Sequence, residues 1–267
     1  MMLALIAGTG DLPPALLARL PQRPVVCAME GFRPAVPPDL TFRIEQLGSF
    51  LETLRDRGVT EVCMAGAVTR PPIDPLAIDE ATRPLVSRIM EAIAQGDDGA
   101  LRAIIAIFEE AGFVVKAAHE IAFDLLPGAG VLGGAAVTKD NQLDAITAER
   151  TIAEMGRADL GQACLVRHIK VLAREDRAGT DAMLARFASP GPGDARSAIL
   201  FKAPKPGQDR RADLPVIGPQ TARGAVAAGL AGIVIEQGGV MVLDLNEVLS
   251  VLEPAGLFLW VRPKGGG

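Results

Sequence analysis

Tyrosine is absent from this 267-residue sequence, tryptophan occurs once and histidine only twice. Each scarcity removes a class of function. Nucleic-acid binders normally carry a basic footprint and aromatic rings for base stacking. With a net charge of −5 and nine phenylalanines as almost the whole aromatic content, this chain has neither. His119 and His168 lie far apart, so they cannot fill a metal centre that needs several imidazoles. There is no H-E-x-x-H zinc motif, since His119-Glu120 continues as Ile121, Ala122 and Phe123. No G-x-S-x-G elbow is present to support a hydrolase triad. The three cysteines, Cys27, Cys63 and Cys164, form no C-x-x-C pair. Wide spacing and an odd count predict reduced core thiols in a cytoplasmic protein. No apolar run approaches the ~20 residues of a membrane span. The opening MMLALIAGTGDLPP has no basic leader region, and its apolar run stops at Gly8, so it reads as a strand and not as a secretory signal.

What is present is ample apolar material: 49% hydrophobic and 22% charged residues, enough for a large core built from aliphatic side chains and alanine. The first half alternates strand-like and helix-like runs. Leu3–Ala7, Pro24–Met29, Phe42–Leu47 and Val59–Ala67 read as strands. A helix is expected after Pro13-Pro14, and another from Ser49 through Gly58, with Ser49 and Glu52 as a capping box. Further helices are expected at about 83–95 and 100–111. This grammar predicts a parallel sheet with helices on its faces.

After the glycines at 128–134 the pattern changes. A helix over 142–156 is followed by an alternating antiparallel strand over 163–174, then by a mixture of short strands and helices. The fold class is therefore α/β: an N-terminal Rossmann-like parallel-sheet domain over residues 1–130 and a C-terminal mixed α/β domain over 131–267, the latter expected to be catalytic.

Several places could carry chemistry. Gly8-Thr9-Gly10 separates a strand from a helix, where backbone N–H groups can meet an anion. A dinucleotide fingerprint needs a third glycine, and Pro13 stands there instead. Phosphate or nucleotide-sugar contact, a nicotinamide cofactor and a plain structural turn all stay open. Thr69 and Arg70 follow a buried strand, the position where open α/β sheets bind ligands, and Arg70 could clamp a phosphate. The alternative is a surface loop. Asp97 and Asp98 open a helix, where carboxylates complement the positive end; metal or substrate contact is the other reading.

The segment KAPKPGQDRRADLPVIGPQT at 202–221 is denser. It sets Lys202, Lys205 and Arg210 beside Asp209 and Asp213, with Gln208 and Thr221 near, in a loop stiffened by prolines. Cations neutralise phosphoryl oxygens. Asp209 and Asp213 are hard oxygen ligands suited to Mg²⁺, and either could orient a water. A salt-bridged surface turn is the competing reading. Glu175, Thr180 and Asp181 are expected near this loop, since both segments leave strands of the same domain.

These residues also carry a resemblance. LALIAGTGDLP, AGAVTRP at 65–71, GDDGALRAI at 96–104, GQACLVRHIKVLARED at 161–176, GTDAML at 179–184, the 202–221 segment and AGLAGIVIE at 228–236 resemble, in order and spacing, the magnesium-dependent UDP-2,3-diacylglucosamine pyrophosphatase family of lipid A biosynthesis. The resemblance implies two domains enclosing a lipid-linked nucleotide sugar. It implies hydrolysis to UMP and 2,3-diacylglucosamine 1-phosphate, with water attacking the sugar-side phosphorus. It implies a catalytic aspartate in the QDxRxDLP string, with Asp209 favoured narrowly over Asp213. Gln162, within the 161–176 string, joins Gly8, Thr9, Gly10, Thr69, Arg70, Asp97, Asp98, Thr180, Asp181 and Gln208 as expected substrate contacts. The setting implied is the cytoplasm of a Gram-negative bacterium, peripheral to the inner membrane, with self-association left open. Apart from the resemblance, two other classes stand: a nicotinamide-dependent oxidoreductase and a non-catalytic carrier of lipid or sugar nucleotide.

Overall fold

The computed structural model describes every residue except 70–71, 95–96, 159, 189–196, 212 and 266–267, together with all side chains but those of 92–94, 97 and 98. Its contacts divide the chain into two units. The first is Met1–Phe123 with Asp209–Asp213; the second is Asp124–Gln208 with Leu214–Gly267.

In the first unit the apolar runs become five parallel strands: β1 (Met2–Ala7), β2 (Val25–Met29), β3 (Leu40–Phe42), β4 (Val59–Ala65) and β5 (Val114–Lys116). Their spatial order is β3-β2-β1-β4-β5. Crossovers that run one way from β1 and then the other produce this order, and the reversal lies between β1 and β4. Helices α1 (Leu12–Leu17), α2 (Leu47–Asp56), α3 (Val86–Ala94) and α4 (Asp97–Glu110) and the short α5 (Ala118–Ile121) complete the unit. Pro13 and Pro14 sit in the first turn of α1, where a missing N–H has no partner to lose. Phenylalanine is concentrated in this core. Phe42 stacks on Phe50 at 4.0 Å, and Phe108 meets Phe50 and Phe113 edge-on at 6.5 and 5.9 Å.

Two expectations shift here. The strand expected over Phe42–Leu47 ends at Phe42, and Ile44–Gln46 turns as 3-10 helix. The cause is Glu45, whose buried carboxylate accepts from Arg43 and from the Asp74 N–H at 2.9 Å, turning the chain away from the sheet. Helix α2 then starts at Leu47, so Ser49 lies inside it, and no side-chain cap forms at Gln46. Likewise α4 begins at Asp97, not Ala100.

The second unit is built on a six-stranded sheet in the order β6-β13-β11-β9-β7-β8. The strands are β6 (Gly130–Val131), β7 (Ala163–Arg167), β8 (Lys170–Arg174), β9 (Ile199–Lys202), β11 (Gly232–Glu236) and β13 (Phe258–Arg262). A parallel pair, β10 (Val216–Ile217) and β12 (Met241–Val242), lies apart from it. Strands β9, β11 and β13 are parallel, while β6, β7 and β8 each run against a neighbour.

Period-two alternation sorts the side chains onto two cores. Leu165, Leu200, Ile233, Ile235, Leu259 and Val261 face one side with α7 (Gly179–Ala185), α8 (Pro219–Ala227) and α9 (Leu245–Leu252). Cys164, Val166, Ile199, Phe201, Val234 and Phe258 face α6 (Lys139–Arg157) on the other. Burial on both faces is why these strands read as continuous apolar runs in the sequence.

The single strand expected over 163–174 is in fact a hairpin. His168 and Ile169 turn it with φ of 51° and 62°, a conformation side chains disfavour. Asp144 of α6 holds the turn, accepting from the His168 N–H at 3.2 Å and the Ile169 N–H at 2.6 Å. His119 lies in α5. All three cysteines are unpaired and buried, and burial pushes their thiols up to about 12, leaving them protonated and inert at neutral pH.

Candidate active site

The carboxyl ends of β9 and β11 carry the polar cluster of the second unit. Each strand is apolar until its last residue, which is Lys202 in one and Glu236 in the other. Both are buried, with 8% of each residue's surface exposed. A buried ammonium is costly unless partnered. Lys202 donates from Nζ to Thr180 Oγ1 at 2.8 Å, and that hydroxyl donates to Glu175 Oε1 at 2.6 Å. The other Glu175 oxygen accepts from the Gln162 N–H at 2.5 Å. One line of hydrogen bonds thus runs from the chain entering β7, through the residue following β8 and the first turn of α7, to the end of β9.

The sequence makes room for this line. A side chain at Gly161 would come within 2.6 Å of Glu175, and one at Gly239 within 2.9 Å of Glu236 Oε1. Beside it, Thr221 of α8 donates to Asp181 Oδ1 at 3.1 Å. Glu175, Thr180 and Asp181 therefore lie beside Lys202 and Thr221 of the 202–221 segment, as expected, and the Gln162 backbone joins the same line. Gln208 folds the loop after β9 back on itself, its Oε1 accepting from the Lys205 N–H at 2.9 Å. Lys205 is half-buried beside this turn.

Asp209 and Asp213 are placed differently. Residues Asp209–Asp213 count with the first unit, not with Lys202–Gln208. Arg211 grips the Asp209 carboxylate side-on, Nε to Oδ1 at 3.0 Å and Nη2 to Oδ2 at 2.8 Å, and also reaches Glu109 of α4. The hydrogen bonds of Arg211 hold the Asp209 carboxyl below the usual carboxylate range, with a further contribution from Arg102 of α4. Asp209 therefore remains ionised at neutral pH and well into the acid range. Arg210 is exposed and Asp213 half-buried.

At the β1/β4 reversal, the glycine loop closes against the exit of β4. The Gly8 N–H donates to Ala65 O at 2.8 Å, and Thr9 and Ala67 exchange two backbone hydrogen bonds of 2.9 Å. Two N–H groups expected to cradle an anion are thus engaged by neighbouring backbone. Thr9 and Gly10 face solvent, as does Thr69 after β4. Arg70 and the side chains of Asp97 and Asp98 lie outside the described residues.

Comparison with known proteins now decides the family. The LpxI N-terminal domain matches residues 2–125 and the LpxI C-terminal domain matches residues 128–260. The chain belongs to the LpxI family. It is 36% identical to the UDP-2,3-diacylglucosamine pyrophosphatase LpxI of Caulobacter vibrioides, over 98% of each chain. Within this LpxI-family chain the sequence reading passed over Glu236. Its only signal was an acid ending an otherwise apolar strand, GIVIE, in register beside Lys202's strand. Among the described residues, no three His, Cys, Asp or Glu side chains converge as a ready-made metal cage.

Proposed function

We propose that this chain hydrolyses the pyrophosphate bond of UDP-2,3-diacylglucosamine, releasing UMP and 2,3-diacylglucosamine 1-phosphate. The observation that carries the reading is the match to a pyrophosphatase along both units at 36% identity. The buried Lys202–Thr180–Glu175 line supports it, because it fixes a cation at a strand end before any substrate arrives. Preorganised charge of this kind stabilises a phosphoryl group in transfer without reorganising during the reaction.

In this reading Lys202, Lys205 and Arg210 neutralise phosphoryl oxygens. Gln162, Thr180, Asp181 and Gln208 shape the substrate contact in the second unit. Gly8, Thr9, Gly10, Thr69, Arg70, Asp97 and Asp98 are the candidate contacts of the first. Asp209 or Asp213 orients the attacking water toward the sugar-side phosphorus.

The donor chemistry fits Mg²⁺. This ion is usually held by one or two carboxylates with substrate phosphates and waters, and so needs no three-carboxylate cage. Asp209 and Asp213 would hold it, and Asp209 is kept ionised by Arg211. When bound, the ion supplies neutralisation of charge on the pyrophosphate oxygens. We place the reaction in the cytoplasm of a Gram-negative bacterium, at the inner face of the inner membrane. No helix among the described residues is long and apolar enough to cross a membrane.

Asp209→Asn and Asp213→Asn test the assignment, assayed with Mg²⁺ and with EDTA. Loss of one site carboxylate is expected to lower kcat by roughly 100-fold or more in at least one variant. Full turnover by both variants would place the chemistry elsewhere.

A further inference from the structure

The β7–β8 hairpin ends in a residue that local preference does not select. Ile169 stands at its tip with φ of 62°, and 60% of its surface is exposed. A β-branched side chain disfavours that backbone conformation, which glycine and asparagine adopt far more readily. Such strain persists only where the surroundings enforce it. Here Asp144, itself 2% exposed, holds the turn through the N–H groups of His168 and Ile169. The tip is therefore a fixed apolar projection into solvent.

Its neighbours are apolar and cationic. Leu143 adjoins Asp144 on α6 and leaves 47% of its surface exposed. Lys139, Arg150 and Arg157 follow one another with Leu143 at helical spacing along the outward face of α6, and Lys170 comes directly after Ile169. Against these exposed cations the same surface sets two exposed acids, Asp140 and Glu154. The positive balance is local, because the chain as a whole carries a net charge of −5. An apolar projection ringed by cations complements an anionic lipid surface: the side chain enters at the headgroup boundary while ammonium and guanidinium groups meet phosphates.

Other occupants fit less well. β8 is the outermost strand on its side of the sheet, so a second copy could add there. Antiparallel self-pairing centred on Leu172 would set Lys170 opposite Arg174 of a second copy, and like charges directly opposite repel. Nor does the tip belong to the polar site. Val166 pairs with Ile199 at the start of β9, whereas Ala163 pairs with Lys202 at its end, so the tip and Lys202 lie at opposite ends of β7.

We propose that the hairpin tip and the adjoining face of α6 dock this protein on an anionic membrane. The inference deepens the membrane setting of the hydrolase reading and does not depend on which bond is broken.

Co-sedimentation of the full chain with lipid vesicles tests it. One set contains equal parts of phosphatidylglycerol and phosphatidylethanolamine, and the other phosphatidylcholine alone; neither carries a nucleotide sugar. The unmodified protein should bind the anionic set and be released as salt is raised. Ile169→Gly removes the apolar tip and relieves the turn. It should weaken binding about 10-fold, at an undiminished urea midpoint. Each basic side chain at an anionic surface is worth roughly fivefold in binding, so Arg150→Ala combined with Lys170→Ala should lose roughly 25-fold. Absence of binding by the unmodified protein, equal binding to both vesicle sets, or undiminished binding by either variant would overturn the docking surface. So would self-association, seen by analytical ultracentrifugation, that Ile169→Gly abolishes, since the tip would then serve a second copy. Hydrolysis is assayed separately on detergent-dispersed substrate, so failure of docking and failure of the hydrolase reading give different results.

Discussion

Lys202 is the residue on which the polar site of the second unit turns. Its ammonium is nearly withdrawn from water, and Thr180 is a mediator: the hydroxyl receives from Lys202 and passes its own proton toward Glu175. Removing the hydroxyl while keeping the shape separates positioning from packing. Thr180→Val is expected to lower kcat about 10-fold with a smaller change in KM, because the cation loses its fixed direction and binding surface is kept. Thr180→Ser restores the hydroxyl and should recover most of the rate. If Thr180→Val shifts only KM, or if Ser fails to rescue, Thr180 does not position Lys202. The types of these residues were legible: lysine closing an apolar strand, and threonine and aspartate opening a helix. Glu236 was passed over because a lone acid at a strand end is common and looks the same in sequence whether solvated or buried.

At the level of the element, the join between β1 and β4 depends on glycine for two separate reasons. Gly66 has φ of +93°, and a side chain there would stand 2.7 Å from Thr9 O. Gly58, in the turn from α2 into β4, has φ of +76° but open space around it. Gly58→Ala should therefore cost about 1 kcal/mol, for backbone conformation alone. Gly66→Ala should cost about 2–3 kcal/mol, because the close approach adds to it. Urea midpoints of the two variants measure the difference. Equal costs would mean that the loop shifts freely, and that its closed shape is not a fixed part of the fold.

Element boundaries were legible where one force acts. Strand β11 runs over Gly232–Glu236, as the apolar run predicts, since both of its faces are buried. They were illegible where a distant side chain decides. Glu45 ends β3 by reaching Asp74, and Asp144 holds a hairpin turn that contains neither glycine nor asparagine. Neither partnership has a local sequence signal.

On the scale of the whole molecule, the alternation of strand and helix in the first half and its loss in the second correspond to two different sheets, one wholly parallel and one mixed. That much follows from hydrophobic period. The assignment of Asp209–Asp213 to the first unit does not, because it depends on contacts between segments a hundred residues apart, such as Arg211 with Glu109. A sequence reading sees the 202–221 loop as one basic and acidic cluster. In the structure its lysines stay with the second unit and its aspartates count with the first. The acidic overall charge and the scarcity of aromatic residues excluded nucleic acid, and the match along both units to a pyrophosphatase agrees with a small phosphorylated ligand.

The central claim is a bond broken in one lipid-linked nucleotide. It is tested most directly by incubating the protein with UDP-2,3-diacylglucosamine and Mg²⁺ in ¹⁸O-labelled water and identifying the products by mass spectrometry. The account predicts unlabelled UMP and 2,3-diacylglucosamine 1-phosphate carrying the label, with release abolished by EDTA and restored by added Mg²⁺. Intact substrate after prolonged incubation, with the lipid nucleotide merely bound, would contradict it.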